Sequence, residues 1–168
     1  MDDHTLHLSL SWLMLPLALF LAVLGALSSP RDAQGRPLLL LPDVKAVEEY
    51  RRSMSSDTLE MQLLDGEIAA LIAGQNTDLF TQSRKAQAAF EHAMRIAQEV
   101  DVQSAPPALD GPRGTAVGTT TAYLEAARLA LRWVSLPEET NRTTAENSLA
   151  QARQQLKTLE ESKWLAKR

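Results

Sequence analysis

The 168-residue chain carries a formal charge of −4, is 5% aromatic and has no cysteine. Acidic and basic residues are interspersed with no basic stripe, which argues against a nucleic-acid partner. The missing thiols exclude disulfides, thiolate zinc sites, thiol nucleophiles and acylation at cysteine. Ala, Leu, Gln, Glu and Arg are plentiful and β-branched and aromatic residues sparse, so the composition predicts an all-α fold.

The first element is a 22-residue stretch, Leu6 to Leu27, without Asp, Glu, Lys or Arg. As a helix rising about 1.5 Å per residue it matches a hydrocarbon core of roughly 30 Å. The stretch predicts a single-pass transmembrane anchor over residues 1–28, with the lipid bilayer as its partner. Trp12 suits an interface, and Pro16 is tolerable in a membrane helix. The alternative is a cleaved export signal, since Gly25, Ala26, Ser28 and Ser29 are small. Against that, the preceding tail Met1-Asp2-Asp3-His4 has no positive charge, and the stretch is long for a signal. A buried core helix would show a polar face, which this stretch lacks.

Orientation is contested. Arg31, Arg36 and Lys45 follow the stretch and no Lys or Arg precedes it, which by the positive-inside rule retains the remainder in the cytoplasm. We nevertheless expect an extracytoplasmic domain, because small domains behind one N-terminal apolar segment are usually exported.

Residues 29–42 read as a tether, broken by Pro30, Gly35, Pro37 and Pro42. It includes the four-leucine run Leu38–Leu41. Residues 43–168 are expected to form an antiparallel up-down-up-down four-helix bundle. Its first helix starts at Asp43 as N-cap and stops at Gly74. Val47, Tyr50, Met54, Met61, Leu64, Ile68 and Leu71 give it a heptad-like seam, interrupted at Asp57. A second helix, capped by Asn76 or Thr77, carries Leu79, Ser83, Ala86, Phe90, Ala93, Ala97 and Val100 on its seam.

Ser104 to Gly118, with Pro106, Pro107, Gly111, Pro112 and Gly114, is expected to break the helical run. A third helix follows from about Thr119 to Val134, burying Thr120, Tyr123, Ala127, Ala130, Leu131 and Val134. Ser135-Leu136-Pro137-Glu138 matches a capping box for a fourth helix. Its seam is Ala145, Leu149, Ala152, Leu156 and Leu159, and Lys163, Lys167 and Arg168 suit its negative end. Four seams joined by short connections bury one another most economically as a bundle. Ala105-Pro106-Pro107-Ala108-Leu109 and Tyr123-Leu124-Glu125-Ala126-Ala127, set among alanine-rich helices, are similar in style to small bacterial membrane-tethered or exported helical domains. This likeness transfers no functional residues.

Catalytic chemistry has little to stand on. A di-iron bundle needs Glu-x-x-His motifs, which are absent. His92 has Ala88 and Ile96 at i±4, neither a ligand, and reads as a boundary histidine. A haem there would need Met54, Met61 or Met94 opposite it, and such methionines are usually core. No phosphate loop or Ser–His pairing appears. Asn141-Arg142-Thr143 is a formal glycosylation sequon. No cofactor, metal or enzymatic activity is expected.

Asp57 and Asp65 are the charged candidates near the first seam. Asp57 is expected where the seam opens to solvent, because a buried unpaired charge is costly; pairing with an Arg of another helix is the other option. Tyr123, Trp133 and Trp164 are the aromatic candidates for a recognition patch. Asp57, Tyr123 and Trp133 are therefore the proposed ligand or partner contacts. The sequence favours a membrane-tethered structural or protein-interaction module that binds another protein or a copy of itself. An extracytoplasmic sensory or small-ligand-binding bundle is the alternative.

Overall fold

The longest helix is dictated by a run with no proline or glycine from Asp43 to Asp65, in which an apolar residue returns every three or four positions. In a computed structural model, which describes residues 10–28, 42–74 and 78–165, it becomes α2 (Pro42–Ile72). The described residues are all-helical: α1 (Leu10–Ser28) precedes α2, followed by α3 (Leu79–Val102), a 3-10 turn over Pro107–Leu109, α4 (Asp110–Ser135) and α5 (Glu139–Glu160). The chain divides into two units, residues 1–46 and 47–168.

In the first unit, α1 is 19 residues long and contains Pro16. Leu17, Leu19, Phe20, Leu21, Val23, Leu24 and Leu27 are all exposed. Nineteen residues rise about 28 Å, just short of a hydrocarbon core of roughly 30 Å. Among the described residues no helix is long and apolar enough to cross a membrane. The expected Leu6–Leu27 span is thus not met by them; residues 6–9 lie outside the described residues. Residues 29–41 of the expected tether lie outside them too, and Pro42 belongs to α2.

The second unit is a helical bundle. Glu67 meets His92, Glu60 meets Arg95 and Asp57 meets Gln103, so α2 and α3 run antiparallel. Asp65 meets Arg153 and Gln62 meets Glu160, so α2 and α5 also run antiparallel. The core is built from the expected α2 seam: Tyr50, Met54, Met61, Leu64, Ile68 and Leu71 are buried, with Val47 partly so. All five predicted seam residues of α5, Ala145, Leu149, Ala152, Leu156 and Leu159, are buried as well.

Four expectations need correction. The α3 seam is rotated: Ala86, Ala89, Ala93, Ile96 and Val100 are buried, while Leu79 is exposed and Phe90 only partly buried. Ile96 outweighs Ala97 in apolar surface, which turns the helix toward it. The α3 cap is Asp78, whose carboxylate accepts from the Thr81 N–H at 3.0 Å; Asn76 and Thr77 lie outside the described residues.

More consequentially, α4 starts at Asp110, about nine residues before the expected Thr119. Pro112 falls in the first turn, where its missing N–H leaves no intrahelical bond unmade. Burial of Leu109, Ala116, Thr119 and Thr120 offsets the helix cost of the glycines. Arg113 fastens this start: its guanidinium donates to the carbonyls of Asp101 at 2.9 Å and Gln103 at 3.2 Å, carbonyls that the end of α3 leaves open. Lastly, the 135–138 capping box does not form. Ser135 Oγ donates to the Leu131 carbonyl within α4, and Glu138 is the N-cap of α5 without a side-chain cap bond.

Candidate functional site

The heptad spacing of α2 puts Asp65 on the flank of its buried seam, facing α4 and α5. There it accepts a two-pronged interaction from Arg153 of α5, Nε to Oδ1 and Nη2 to Oδ2, each 2.8 Å. Tyr123 of α4 is fully buried beneath and donates its hydroxyl to Asp65 Oδ1 at 3.2 Å. Desolvation, then the charge and hydrogen bond of Asp65, push the Tyr123 hydroxyl well above the usual tyrosine range. Hydrogen bonding to Asp65 likewise holds Arg153 above its ordinary value. A shallow recess of about 260 Å³ lies over the triad, lined also by Gln62, Leu156, Lys157 and Glu160. Tyr123 and Arg153 thus share one carboxylate, and the three side chains join α2, α4 and α5.

Asp57 overturns the expectation of a solvent-open seam, for it is only 8% exposed. Its partner is not an arginine but the amide of Gln103, Nε2 to Oδ2 at 2.9 Å. Burial raises its carboxyl above the usual range, the Gln103 hydrogen bond opposes that, and Glu60 and Glu99 add to it. Nearby polarity is incompletely matched: Tyr50 Oη and Gln103 Oε1 are buried with no hydrogen-bond partner among the described residues. Desolvation is also the main reason the Tyr50 hydroxyl is raised.

Asp57 and Tyr123 do not share a pocket. Asp57 lies eight positions from Asp65 along α2, a rise of about 12 Å. Trp133 is ten positions beyond Tyr123 on α4, about 15 Å away along the axis. Trp133 and Trp164 are both partly buried against the core. Of the three aromatics only Tyr123 is buried; Trp133 and Trp164 keep part of their surface exposed. The Trp164 carbonyl accepts from Arg51 Nε, which ties the residues after α5 to α2.

His92 bridges α3 to α2, Nδ1 lying 3.1 Å from Glu67 and Nε2 3.7 Å from Glu60, which also holds Arg95 at 2.7 Å. Among the described residues no group of side chains is arranged to hold a metal ion. Beside His92 runs a groove of about 390 Å³ between α2 and α3. Ala70, Leu71, Ala88 and Ala89 supply its apolar lining, with Glu67, Gln82 and Lys85 as polar groups. Asn141 of the sequon sits in the first turn of α5 and donates its amide to the Leu136 carbonyl.

The partners that the residue pattern did not reveal are Arg153 and Gln103. Arg153 was accessible in principle, as a cation beside the α5 seam facing an anion beside the α2 seam. Gln103 lies past the end of α3 and carried no periodic signal. No known protein family, curated protein or solved structure matches the chain.

Proposed function

We propose that this chain is a membrane-tethered helical bundle acting as a structural or protein-interaction module. The observation that carries the reading is on the outer face of α2, where Leu59 and Leu63 are 59% and 66% exposed, one turn apart and opposite the core seam. Exposed leucines paired on one helix face favour a protein partner. Tyr123, Asp65 and Arg153 use their hydrogen bonds on one another, which fits a structural part for this triad.

The tether rests on the uncharged run from Leu6 to Leu27, and the exposure of the apolar α1 side chains supports it. The bundle is placed outside the cytoplasm, against the bias of Arg31 and Arg36. Protease treatment of intact cells tests that placement: loss of a C-terminal tag supports it, and protection until lysis reverses it.

The interaction reading is tested by photocrosslinking in native membranes from a probe at Leu63 and from one at Arg128, exposed on α4. A discrete adduct from position 63 alone is expected. Adducts from neither position, or equally from both, overturn it. The groove between α2 and α3 supports the second reading, a small-ligand-binding bundle, because its volume lies in the range of ligand sites. In that case the protein isolated from cells carries a small molecule detectable by mass spectrometry, and Ala88→Trp, which fills the groove, removes it.

A further inference from the structure

Where α3 ends and α4 begins, polar side chains gather against α2. Gln103, the residue that closes α3, is held at two points. Its amide Nε2 donates to Asp57 Oδ2 at 2.9 Å, and its carbonyl accepts from Arg113 Nε at 3.2 Å. A carboxylate accepts hydrogen bonds, so the amide turns its N–H toward Asp57, and Oε1 is the acceptor left over. Tyr50, two turns before Asp57 on the same seam of α2, is only 6% exposed and carries a hydroxyl that can donate. Neither Tyr50 Oη nor Gln103 Oε1 has a partner among the described residues, so the two do not bond directly to each other. Thr58, the other buried hydroxyl on this stretch, is already used, donating to the Met54 carbonyl at 2.8 Å.

The two unmatched atoms are complementary, one a donor and one an acceptor, and they share neighbours. Arg113 and Asp57, the residues bonded to Gln103, are also the charges that act most strongly on the Tyr50 hydroxyl, with Asp110 after them. An unmatched buried donor or acceptor is costly, and native interiors leave few. The surrounding charges select what can bridge the pair. The Arg113 guanidinium opposes a cation there, and the Asp57 and Asp110 carboxylates oppose an anion. A small neutral molecule that accepts from one group and donates to the other meets both conditions, and water does so.

We infer that the corner between α2, the end of α3 and the start of α4 is an internal water site, in which one ordered water accepts from Tyr50 Oη and donates to Gln103 Oε1. The water extends the hydrogen-bonded chain of Asp57, Gln103 and Arg113 to a fourth side chain, Tyr50, and so joins all three helices.

Tyr50→Phe removes the hydroxyl and keeps the ring, and Gln103→Met removes Oε1. Oxygen-17 magnetic relaxation dispersion of the full chain in detergent micelles counts the waters that stay bound longer than the protein tumbles. At matched helical circular dichroism, the unsubstituted chain should hold one more such water than either variant. Equal counts in the unsubstituted chain and Tyr50→Phe overturn the inference, and loss of the water in Tyr50→Phe alone overturns the bridge to Gln103. Thermal melts give an independent sign. A bridged hydroxyl makes Tyr50→Phe lower Tm, by about 3–6 °C. A rise in Tm means that the hydroxyl is unmatched, and a fall with an unchanged water count means that it bonds to protein; either result refutes the site. Replacing sodium by choline at constant ionic strength should shift the unsubstituted chain and Tyr50→Phe equally. A loss of Tm confined to the unsubstituted chain would assign the site to a cation and overturn the water.

Discussion

Replacing Gly114 by alanine tests whether α4 begins at Asp110 or near Thr119. Gly114 is exposed within α4, and a Cβ built there meets nothing within 4 Å. Glycine in a helix interior is about 1 kcal/mol less favourable than alanine, so Gly114→Ala should stabilise the bundle by roughly 0.5–1 kcal/mol. At Gly118 the new Cβ meets only Gln155 Oε1 at 3.8 Å, an ordinary contact, and the same gain applies. Gly74 is the internal control. Its φ of +63° lies in the left-handed region, so Gly74→Ala should cost about 1 kcal/mol. The assay is urea unfolding of the full chain in detergent micelles, followed by circular dichroism at 222 nm. In a parallel thermal melt a gain of 1 kcal/mol raises Tm by roughly 3–6 °C for a bundle of this size. If Gly114→Ala is destabilising while Gly74→Ala behaves as described, the helical start at Asp110 is wrong.

Three further expectations follow from the interior. Tyr123→Phe should cost about 1 kcal/mol, and a double-mutant cycle with Arg153→Met should show non-additivity of about 0.5 kcal/mol or more; strict additivity would mean that the triad does not act as a unit. Asp57→Asn should raise Tm at pH 7, since burial penalises the charged carboxylate and the Asn oxygen can still accept from Gln103. Because its folded pKa is raised, the native protein holds its proton to higher pH than the unfolded chain does, so its stability falls as pH rises through that window. The advantage of Asp57→Asn should therefore shrink as pH is lowered toward the ordinary carboxylate value, and an advantage independent of pH would refute the burial argument. Met61→Ala removes a fully buried side chain and should cost about 2–5 kcal/mol in chemical denaturation, against less than about 0.5 kcal/mol for the same change at exposed Met94.

The helices were legible wherever large apolar residues mark one face. Met54, Met61, Leu64 and Ile68 fix the inner face of α2, and Leu149, Leu156 and Leu159 do so for α5. Helix α3 was harder because its seam is mostly alanine, and alanine identifies a face poorly; Ile96 carried more weight than the regular step from Phe90 to Ala97. The start of α4 is not legible from residue type alone, because the effect of proline and glycine depends on their position in the helix. Pro112 in a first turn does not break a helix, and Arg113 secures the turn through contacts distant in sequence. The environment of Asp57 is hidden for a similar reason. Its amide partner, Gln103, reaches it from beyond the end of another helix, and no local spacing reports such a contact.

The most direct measurement of the tethered-module account is alkaline carbonate extraction of cell membranes containing either the full chain or a variant lacking Leu6–Leu27. The account predicts that the full chain stays in the lipid pellet and the shortened chain, still helical by circular dichroism, is released to the supernatant. Release of the full chain by carbonate would contradict it.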